Sequence, residues 1–433
     1  MKFLLNFKLK IKTEDLKCFL KLYKLLYLGI NKKINEEEKM KEVILLRYGE
    51  IHLKGRNRKF FEDLLIDKIK KSLKDIKCSL KQISGRYLIT DFAETKKLEI
   101  IEKVKNVFGL ISLSLAWEIK TSKEEIENMS LVYFEKLNEK KDLKNLTFKV
   151  SVNRADKKFP MHSDEFGAHL GGIILEKFKE LKVDLSKPEI ELIVDIRENG
   201  STYILTEKIN CKGGMPVGSA GQGLLMLSGG IDSSVAGYLM AKRGLRINAV
   251  HFFSFPYTSL QAKDKVIKLA KILSQYTYNI KMFMVPFTKI QEQIHSSCGE
   301  NYMITVMRRI MFRIAEKICK QNNFDAIITG ENLGQVASQT IESITVFNNV
   351  VKEKPVLRPV ISFDKYEIIN IAREIGTFET SILPYEDCCT VFLPKNPIIR
   401  PKLDNVLKQE NYLNIDELVD DAVQNTEVVL IDY

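Results

Sequence analysis

Histidine and tryptophan are scarce in this chain of 433 residues, with five of the first and one of the second. The five histidines are scattered, so no histidine-built metal centre is expected. The seven cysteines contain no C-x-x-C pair, which argues against a zinc ribbon and against a disulfide framework. The expected setting is therefore a reducing cytoplasm, and the only close pair is Cys388-Cys389. No segment reaches the roughly 18–20 apolar residues of a membrane helix, and no membrane partner is expected. The most apolar N-terminal stretch, Cys18 to Ile30, is interrupted by Lys21 and Lys24 and has no small-residue cleavage site after it. Internal repeats and low-complexity tracts are absent. So is the common P-loop pattern G-x-x-x-x-G-K-[ST].

What is there has room for two or three domains. Lys and Arg number 67 against 56 Asp and Glu, a net charge of +11 that permits a polyanionic partner without requiring one. Residues 1–39 differ in character from the rest of the chain. Met40 opens a strand-like run, Glu42 to Tyr48, and is expected to be the natural start, with 1–39 an upstream extension read through. The purine-rich codons of Glu36-Glu37-Glu38-Lys39 would suit a ribosome-binding stretch.

The most informative segment is Leu224-Leu225-Met226-Leu227-Ser228-Gly229-Gly230-Ile231-Asp232-Ser233-Ser234-Val235-Ala236. It reads as a strand buried on both faces, a tight glycine turn, and a helix with a serine-rich start. Gly229 and Gly230 carry no Cβ to hold a ligand off the backbone. Ser228, Ser233 and Ser234 add hydroxyl donors, and the helix directs its first amides at the same point. Such a turn cradles phosphate. Asp232 sits within it where a P-loop has lysine, which suggests Mg²⁺ between the carboxylate and the phosphates. A bare S-G-G turn could equally pack a helix close to a strand. The full S-G-G-x-D-S after an apolar strand is more specific, and it resembles the signature of the PP-loop ATP pyrophosphatases, which split ATP into AMP and pyrophosphate.

Around this turn the chain reads as three domains. Residues 40–100 alternate strand, basic turn, helix (apolar at Phe60, Phe61, Leu64, Leu65, Ile69 and Leu73) and strand, as in a ferredoxin-like α+β unit. A second α+β segment covers 101–209, with strands at Thr147–Val152, Glu191–Ile196 and Thr202–Leu205 and a helix near Glu165–Leu181. Residues 210–223 hold six glycine or proline breakers and are read as a linker. From 224 to 433 strands (Leu224–Leu227, Ala249–Ser254, Lys281–Pro286, Ala326–Thr329) alternate with helices (Ser233–Arg243, Ser259–Gln275, Tyr302–Gln321, Lys365–Ile375) as in a doubly wound, Rossmann-like α/β domain.

In such a sheet the loops after each strand converge on the ligand. His251 and Phe252 close the second strand, Gly330 and Glu331 the fourth, with Gln339 just beyond. Arg308 and Arg309 are adjacent on a long helix, so their side chains point about 100° apart. One is expected to face the site and the other solvent. For His251 a hydrogen-bonded core role is the alternative to a nucleotide contact.

Several motifs together resemble the tRNA 4-thiouridine sulfurtransferases, the ThiI family. They are Arg47-Tyr48-Gly49-Glu50-Ile51-His52-Leu53-Lys54-Gly55-Arg56-Asn57-Arg58, Val250-His251-Phe252, Met307-Arg308-Arg309, the stretch Thr329 to Thr340 and the stretch Pro384 to Phe392. The likeness covers about 41–433. It implies a ferredoxin-like domain, a THUMP domain that helps hold the tRNA acceptor end, and a PP-loop domain. It also implies that ATP adenylates O4 of a uridine (position 8 of tRNA) and that sulfur then displaces AMP, leaving 4-thiouridine. Carried over position by position, ATP contacts fall on Met226, Leu227, Ser228, Gly229, Gly230, Asp232, Ser233, His251, Phe252, Arg308, Gly330 and Gln339. Asp232 serves phosphates and Mg²⁺, and the essential thiol falls on Cys389. Adjacent Glu386 and Asp387 would raise the thiol pKa, so its activation must come from elsewhere.

Two departures bear on the sulfur route. Long members carry a rhodanese domain, for which there is no room after Pro401, and the second strand offers Val250 where some members have a cysteine. Cys388, Cys298 and Cys319 remain open as the second thiol. A cysteine desulfurase is the expected donor of persulfide sulfur, to Cys389 or to an external carrier. Phosphate contacts to RNA are expected from Lys54, Arg56, Arg58 and Lys59, and from Arg154 and Lys157, with Phe159 as a stacking or packing ring. An ordinary solvated turn is the alternative for each cluster. A homodimer through the N-terminal domains would hold two acceptor stems across subunits, and a role in thiamine thiazole synthesis is known in parts of the family. A small-molecule amidotransferase would need an ammonia source, and no glutaminase-type N-terminal cysteine is evident. A non-enzymatic RNA binder with a relic nucleotide fold would be free to lose the intact turn or Cys389.

Overall fold

The computed structural model describes residues 41–83, 85–385, 388, 391–392, 394 and 396–433. The extension 1–39 and Cys389 lie outside the described residues. The chain divides into two compact units. One comprises 41–46, Cys78–Ala93 and Leu113–Ile209; the other comprises Arg47–Lys77, Glu94–Ser112 and Asn210–Tyr433.

The first unit is built on an eight-stranded sheet. Its strands are β1 (Lys41–Tyr48), β2 (Ser79–Ile83), β3 (Arg86–Thr90), β4 (Leu110–Lys120), β5 (Thr147–Arg154), β6 (Lys182–Val183), β7 (Ile190–Ile196) and β8 (Ser201–Asn210). Their order is β2-β3-β1-β4-β8-β7-β5-β6. Helices α1 (Arg58–Ser72) and α2 (Lys97–Val104) belong to the second unit, whereas α3 (Lys123–Asn138) and α4 (Ser163–Lys177) pack on this sheet. Ser122 starts α3 by accepting from the Glu125 amide at 3.1 Å. Phe134, Phe148, Phe166 and Phe159 fill the core between them. The Phe159 and Phe166 rings lie 4.9 Å apart. That burial corrects one alternative: Phe159 is a packing ring, closed off from a base.

The second unit holds a six-stranded sheet. Its elements are β9 (Gln222–Met226), α5 (Ile231–Lys242), β10 (Arg246–Phe253), α6 (Leu260–Thr277), β11 (Ile280–Pro286), α7 (Thr288–Ser297), α8 (Met303–Asn322), β12 (Ala326–Ile328), α9 (Ile341–Asn348), β13 (Val356–Leu357), α10 (Lys365–Glu374), α11 (Phe378–Ser381), α12 (Leu403–Glu410), α13 (Ile415–Gln424) and β14 (Glu427–Ile431). The order is β13-β12-β9-β10-β11-β14. Every pairing is parallel except that of β14 with β11. Alternate residues of β9 face opposite layers: Leu224 joins the cluster containing α8, and Leu225 the one containing α5 and α6. Burial on both faces is why this strand reads as an unbroken apolar run. From β9 the chain steps to β10 and β11 on one side, then returns to β12 and β13 on the other. The strand order therefore reverses between β9 and β12, where an open α/β sheet leaves its ligand crevice. Among the described residues, no helix is long and apolar enough to cross a membrane.

Candidate functional site

The turn 227–230 sits at that reversal. Helix α5 begins at Ile231 with Gly230 at its N-cap, and no side chain caps it. Its first amides are thus directed toward the crevice with the positive end of the helix dipole behind them. The serine hydroxyls shape the turn from within. Ser233 Oγ accepts from the Ser228 amide at 3.1 Å, and Ser228 Oγ from the Gly230 amide at 3.2 Å. Ser234 departs from the expectation of a third donor. About 100° further round the helix, it is fully buried and donates to the Ile231 carbonyl at 2.9 Å.

Gly330 closes the other side. A Cβ there would lie 2.6 Å from the Ser233 nitrogen and 2.7 Å from the Asp232 carbonyl carbon, both backbone atoms. Only glycine lets the segment after β12 approach the start of α5 this closely. Met226, Leu227 and Phe252 are core residues whose side chains are buried, so what they offer the crevice is backbone. His251 is buried too, with Nδ1 3.0 Å from the Leu227 carbonyl. The side-chain oxygens of Gln335 and Gln339 are buried with no hydrogen-bond partner. Unsatisfied acceptors of that kind suit a ligand's donors.

The charges are arranged in two groups. Asp232 receives Lys365 Nζ at 2.6 Å on one oxygen and Gln335 Nε2 at 2.9 Å on the other. A lysine thus stands beside the glycine turn, supplied from the first residue of α10. Behind it, the buried Glu331 binds Arg308 (2.5 Å) and Arg358 (2.7 Å). Burial alone would raise the Glu331 pKa, but the two guanidiniums together outweigh it and hold the carboxyl below its usual range. Arg309 corrects the expectation of a solvent-facing neighbour. It is 1% exposed and donates to Glu410 through Nε (2.8 Å) and Nη2 (2.9 Å) and to the Val346 carbonyl (2.6 Å). A helix wedged between a sheet and α9, α12 and α13 has little solvent face.

Near Pro384, Cys388 is buried, and its carbonyl accepts from Gln291 Nε2 at 2.7 Å. Gln291, itself 3% exposed, accepts on its oxygen from Ser254 Oγ. Two of the open second-thiol candidates are poorly suited to attack. Burial, then Glu410, pushes Cys298 up to about 11. Burial pushes Cys319 up to about 12. Both stay protonated near neutrality.

The expected RNA contacts fall in different units. In the second, Lys54 and Arg56 lie on a 3₁₀ segment, Glu50–Asn57, kinked at Gly55 (φ +50°). Lys54 Nζ lies 5.1 Å from the Phe61 ring centre. Arg58 is engaged with Glu62 (2.7 Å) and the Tyr48 hydroxyl (2.6 Å). Arg56 and Lys59 are exposed. In the first unit, Arg154 Nη1 clamps the Phe159 and Met161 carbonyls, and Lys157 is exposed.

A Gly-rich turn without a P-loop lysine, set at the reversal of a parallel sheet and faced by a glycine from the neighbouring strand end, defines a PP-loop nucleotide-binding domain of the ATP pyrophosphatase type. Residues 218–415 match the family described as thiamine biosynthesis protein (ThiI), 43–114 the ThiI ferredoxin-like domain and 120–206 the THUMP domain. The chain is 48% identical over 394 residues to the probable tRNA sulfurtransferase of Acetivibrio thermocellus, covering 90% of this chain and 99% of that one. To the probable tRNA sulfurtransferase of Bacillus pumilus it is 46% identical over 389 residues, 90% of this chain and 95% of that one. The crystal structure of a 4-thiouridine synthetase–RNA complex with bound ATP superposes with a TM-score of 0.82 at 38% identity, over 90% of this chain and 100% of that one. The chain belongs to the ThiI family of tRNA sulfurtransferases.

Proposed function

We propose that this protein is an ATP-dependent tRNA sulfurtransferase that converts a uridine of tRNA, at position 8, to 4-thiouridine. The observation that carries the reading is the Ser228–Ser233 turn at the sheet reversal, with Gly330 packed against it. Its relatives are named probable tRNA sulfurtransferases, and the 4-thiouridine synthetase of the same fold holds RNA and ATP, which supports the reading.

The chemistry follows from what each group can do. A carbonyl oxygen leaves C4 of uridine poorly, whereas an adenylate leaves well. The uridine O4 attacks the α-phosphorus and pyrophosphate departs. The amides of Ile231, Asp232 and Ser233 and the Lys365 ammonium stabilise charge on the departing phosphates. Asp232 suits Mg²⁺: one carboxylate beside substrate phosphates is a usual share of protein ligation for that ion, which would screen phosphate charge. Arg308, held at one end by Glu331, has donors to spare for the nucleotide. The terminal sulfur of a persulfide on Cys389 then attacks C4, and AMP leaves with the original oxygen. A second thiol attacks the resulting disulfide at the Cys389 sulfur and releases 4-thiouridine. A cysteine desulfurase loads Cys389, directly or through a carrier. Such a thiol relay fits a reducing cytoplasm. Lys54, Arg56 and Arg58, with Arg154 and Lys157, contact RNA phosphates, and a homodimer would hold two acceptor stems across subunits. Sulfur passed to thiazole synthesis for thiamine is the second outlet, suggested by the description of the matched family.

Mass spectrometry of nucleosides from unmodified tRNA, incubated with Mg-ATP, cysteine and a desulfurase, tests both halves. Wild type should yield 4-thiouridine. Asp232→Asn should lose AMP release and thiolation together by a hundredfold or so, and Cys389→Ala should lose thiolation alone. Thiolation by Cys389→Ala would end the assignment of that thiol.

Gln291 belongs to the same scheme as a positioning residue, since it fixes the backbone next to Cys389 in the chain. Gln291→Leu should leave AMP release near wild type while thiolation drops about tenfold. An equal loss of both activities would mean that the tether serves the fold only.

A further inference from the structure

The second unit has a concave feature at the other end of its parallel sheet. β9, β10 and β11 begin at Gln222, Arg246 and Ile280, and a cavity of about 560 Å³ opens beside these starts. The nucleotide turn lies beyond the opposite, carboxyl ends of the same strands. One wall comes from α1 and the residues just after it, which contribute Lys68, Lys71 and Lys74. Lys68 and Lys71, three apart, share a face of α1, and Lys74 follows just past its end. Arg246 and Lys281 line the cavity from the sheet side.

Five cations are gathered here. Of the carboxylates, Asp432 lines the cavity, and Asp67 binds Lys68 (3.2 Å) and Lys71 (3.3 Å). Lys74 meets a main-chain oxygen of Tyr433, the last residue, at 3.1 Å, and Lys281 the Asn322 side-chain oxygen at 2.7 Å. The Asn322 oxygen is uncharged and the Tyr433 oxygen is a carboxylate's, so five cations face three carboxylates and remain in excess. Burial, then Lys71 and Arg246, lowers the Lys68 pKa against the pull of Asp67. Like charges held together in a partly desolvated recess repel, and an anion relieves that repulsion.

A second observation points the same way. Asn248, also lining the cavity, is 5% exposed, and its Nδ2 is buried with no hydrogen-bond partner. A donor withheld from water and from the protein carries a cost that a ligand oxygen removes. Two rings complete the walls: Tyr278, with Lys68 Nζ 5.2 Å from its centre, and Tyr433, with Lys74 Nζ at 5.7 Å.

We propose that this cavity is a second anion site, which takes a small phosphate-bearing ligand of about mononucleotide size. The volume falls within the roughly 300–1,000 Å³ of small-molecule pockets. Cations reaching inward from a helix and from two strand starts enclose a compact phosphate, whereas an RNA backbone needs an open track. The rings offer faces to a planar group carried by that phosphate.

Calorimetry on the full chain separates this site from the nucleotide turn. The turn is first saturated with a non-hydrolysable ATP analogue, and pyrophosphate or AMP is then titrated. Wild type should show a further binding event. The pair R246Q/K281Q and, separately, N248L should weaken it tenfold or more while the affinity for the ATP analogue stays unchanged. Arg246 is exposed, so its replacement leaves the fold intact. No binding of either probe once the turn is filled would overturn the proposal. So would equal affinity in the variants. A short single-stranded RNA titrated in parallel separates the remaining source: loss of RNA affinity in R246Q/K281Q with AMP binding intact would make the surface an RNA contact and overturn the small-ligand site.

Discussion

Gly330→Ala is expected to cut AMP release about a hundredfold in a protein that still folds. The new methyl would sit within 3 Å of three backbone atoms of Asp232 and Ser233, none of which can rotate away. Either the segment after β12 or the start of α5 has to move by a good fraction of an ångström, and the two face each other across the crevice. Overpacking of this kind costs about 1–3 kcal/mol, which a domain with this much core survives. Misplacement near 1 Å at a reacting centre costs about a hundredfold in rate, and that is the loss to look for in AMP release. Gly172→Ala is the matched control. It lies in α4, nothing stands within 4 Å of its added carbon, and it should be neutral or slightly stabilising. Normal AMP release by Gly330→Ala would show that the turn tolerates displacement and would remove Gly330 from the site.

Glu410→Ala should be the costliest single change to stability. The Glu410 carboxylate accepts from Arg309 through both oxygens and also from Arg313 Nη1 (2.6 Å) and Nη2 (2.8 Å). Removing it leaves the Arg309 guanidinium buried without a counter-ion, a loss of about 3–5 kcal/mol. The same pair sets an acid limit. Burial pushes the Glu410 pKa up, but Arg313 and Arg309 outweigh it, and the folded value lies below the ordinary 4.5. Between the folded and unfolded values the unfolded chain binds more protons. The contribution is therefore complete above about pH 4.5 and is lost as pH falls toward the folded value. Glu331 acts with the same sign. Urea melts at pH 7 and pH 4 should show wild type losing stability on acidification, and Glu410→Gln losing less. Parallel losses would remove Glu410 from the acid response.

The nucleotide turn was legible because everything that makes it is local. An apolar strand, two glycines and a helix start occupy thirteen consecutive residues, and the structure moves their boundaries by one or two positions. The capping box at Asp364 and Glu367, which starts α10, is equally local. What escaped reading depends on distance along the chain. Lys365 reaches Asp232 only because α10 packs beside α5. Arg309 is adjacent to Arg308, and the helix period alone could assign one of the two to solvent. The buried Glu410 that claims it lies a hundred residues further on. Strand β14 escaped for a similar reason: Glu427–Ile431 is short, mostly exposed, and a strand by virtue of β11.

That last pairing has a consequence for the order of events at the ribosome. β11 is an apolar strand, Ile-Lys-Met-Phe-Met-Val-Pro, and its free edge is covered only by β14. At usual elongation rates of about 5–20 residues per second, the segment that covers it is made on the order of ten seconds after β11 itself. During that interval a nascent chain carries an open, strand-ready edge of the kind that recruits neighbours. Newly made copies should therefore be more prone to clumping, and more dependent on chaperones, than the finished protein's stability would suggest.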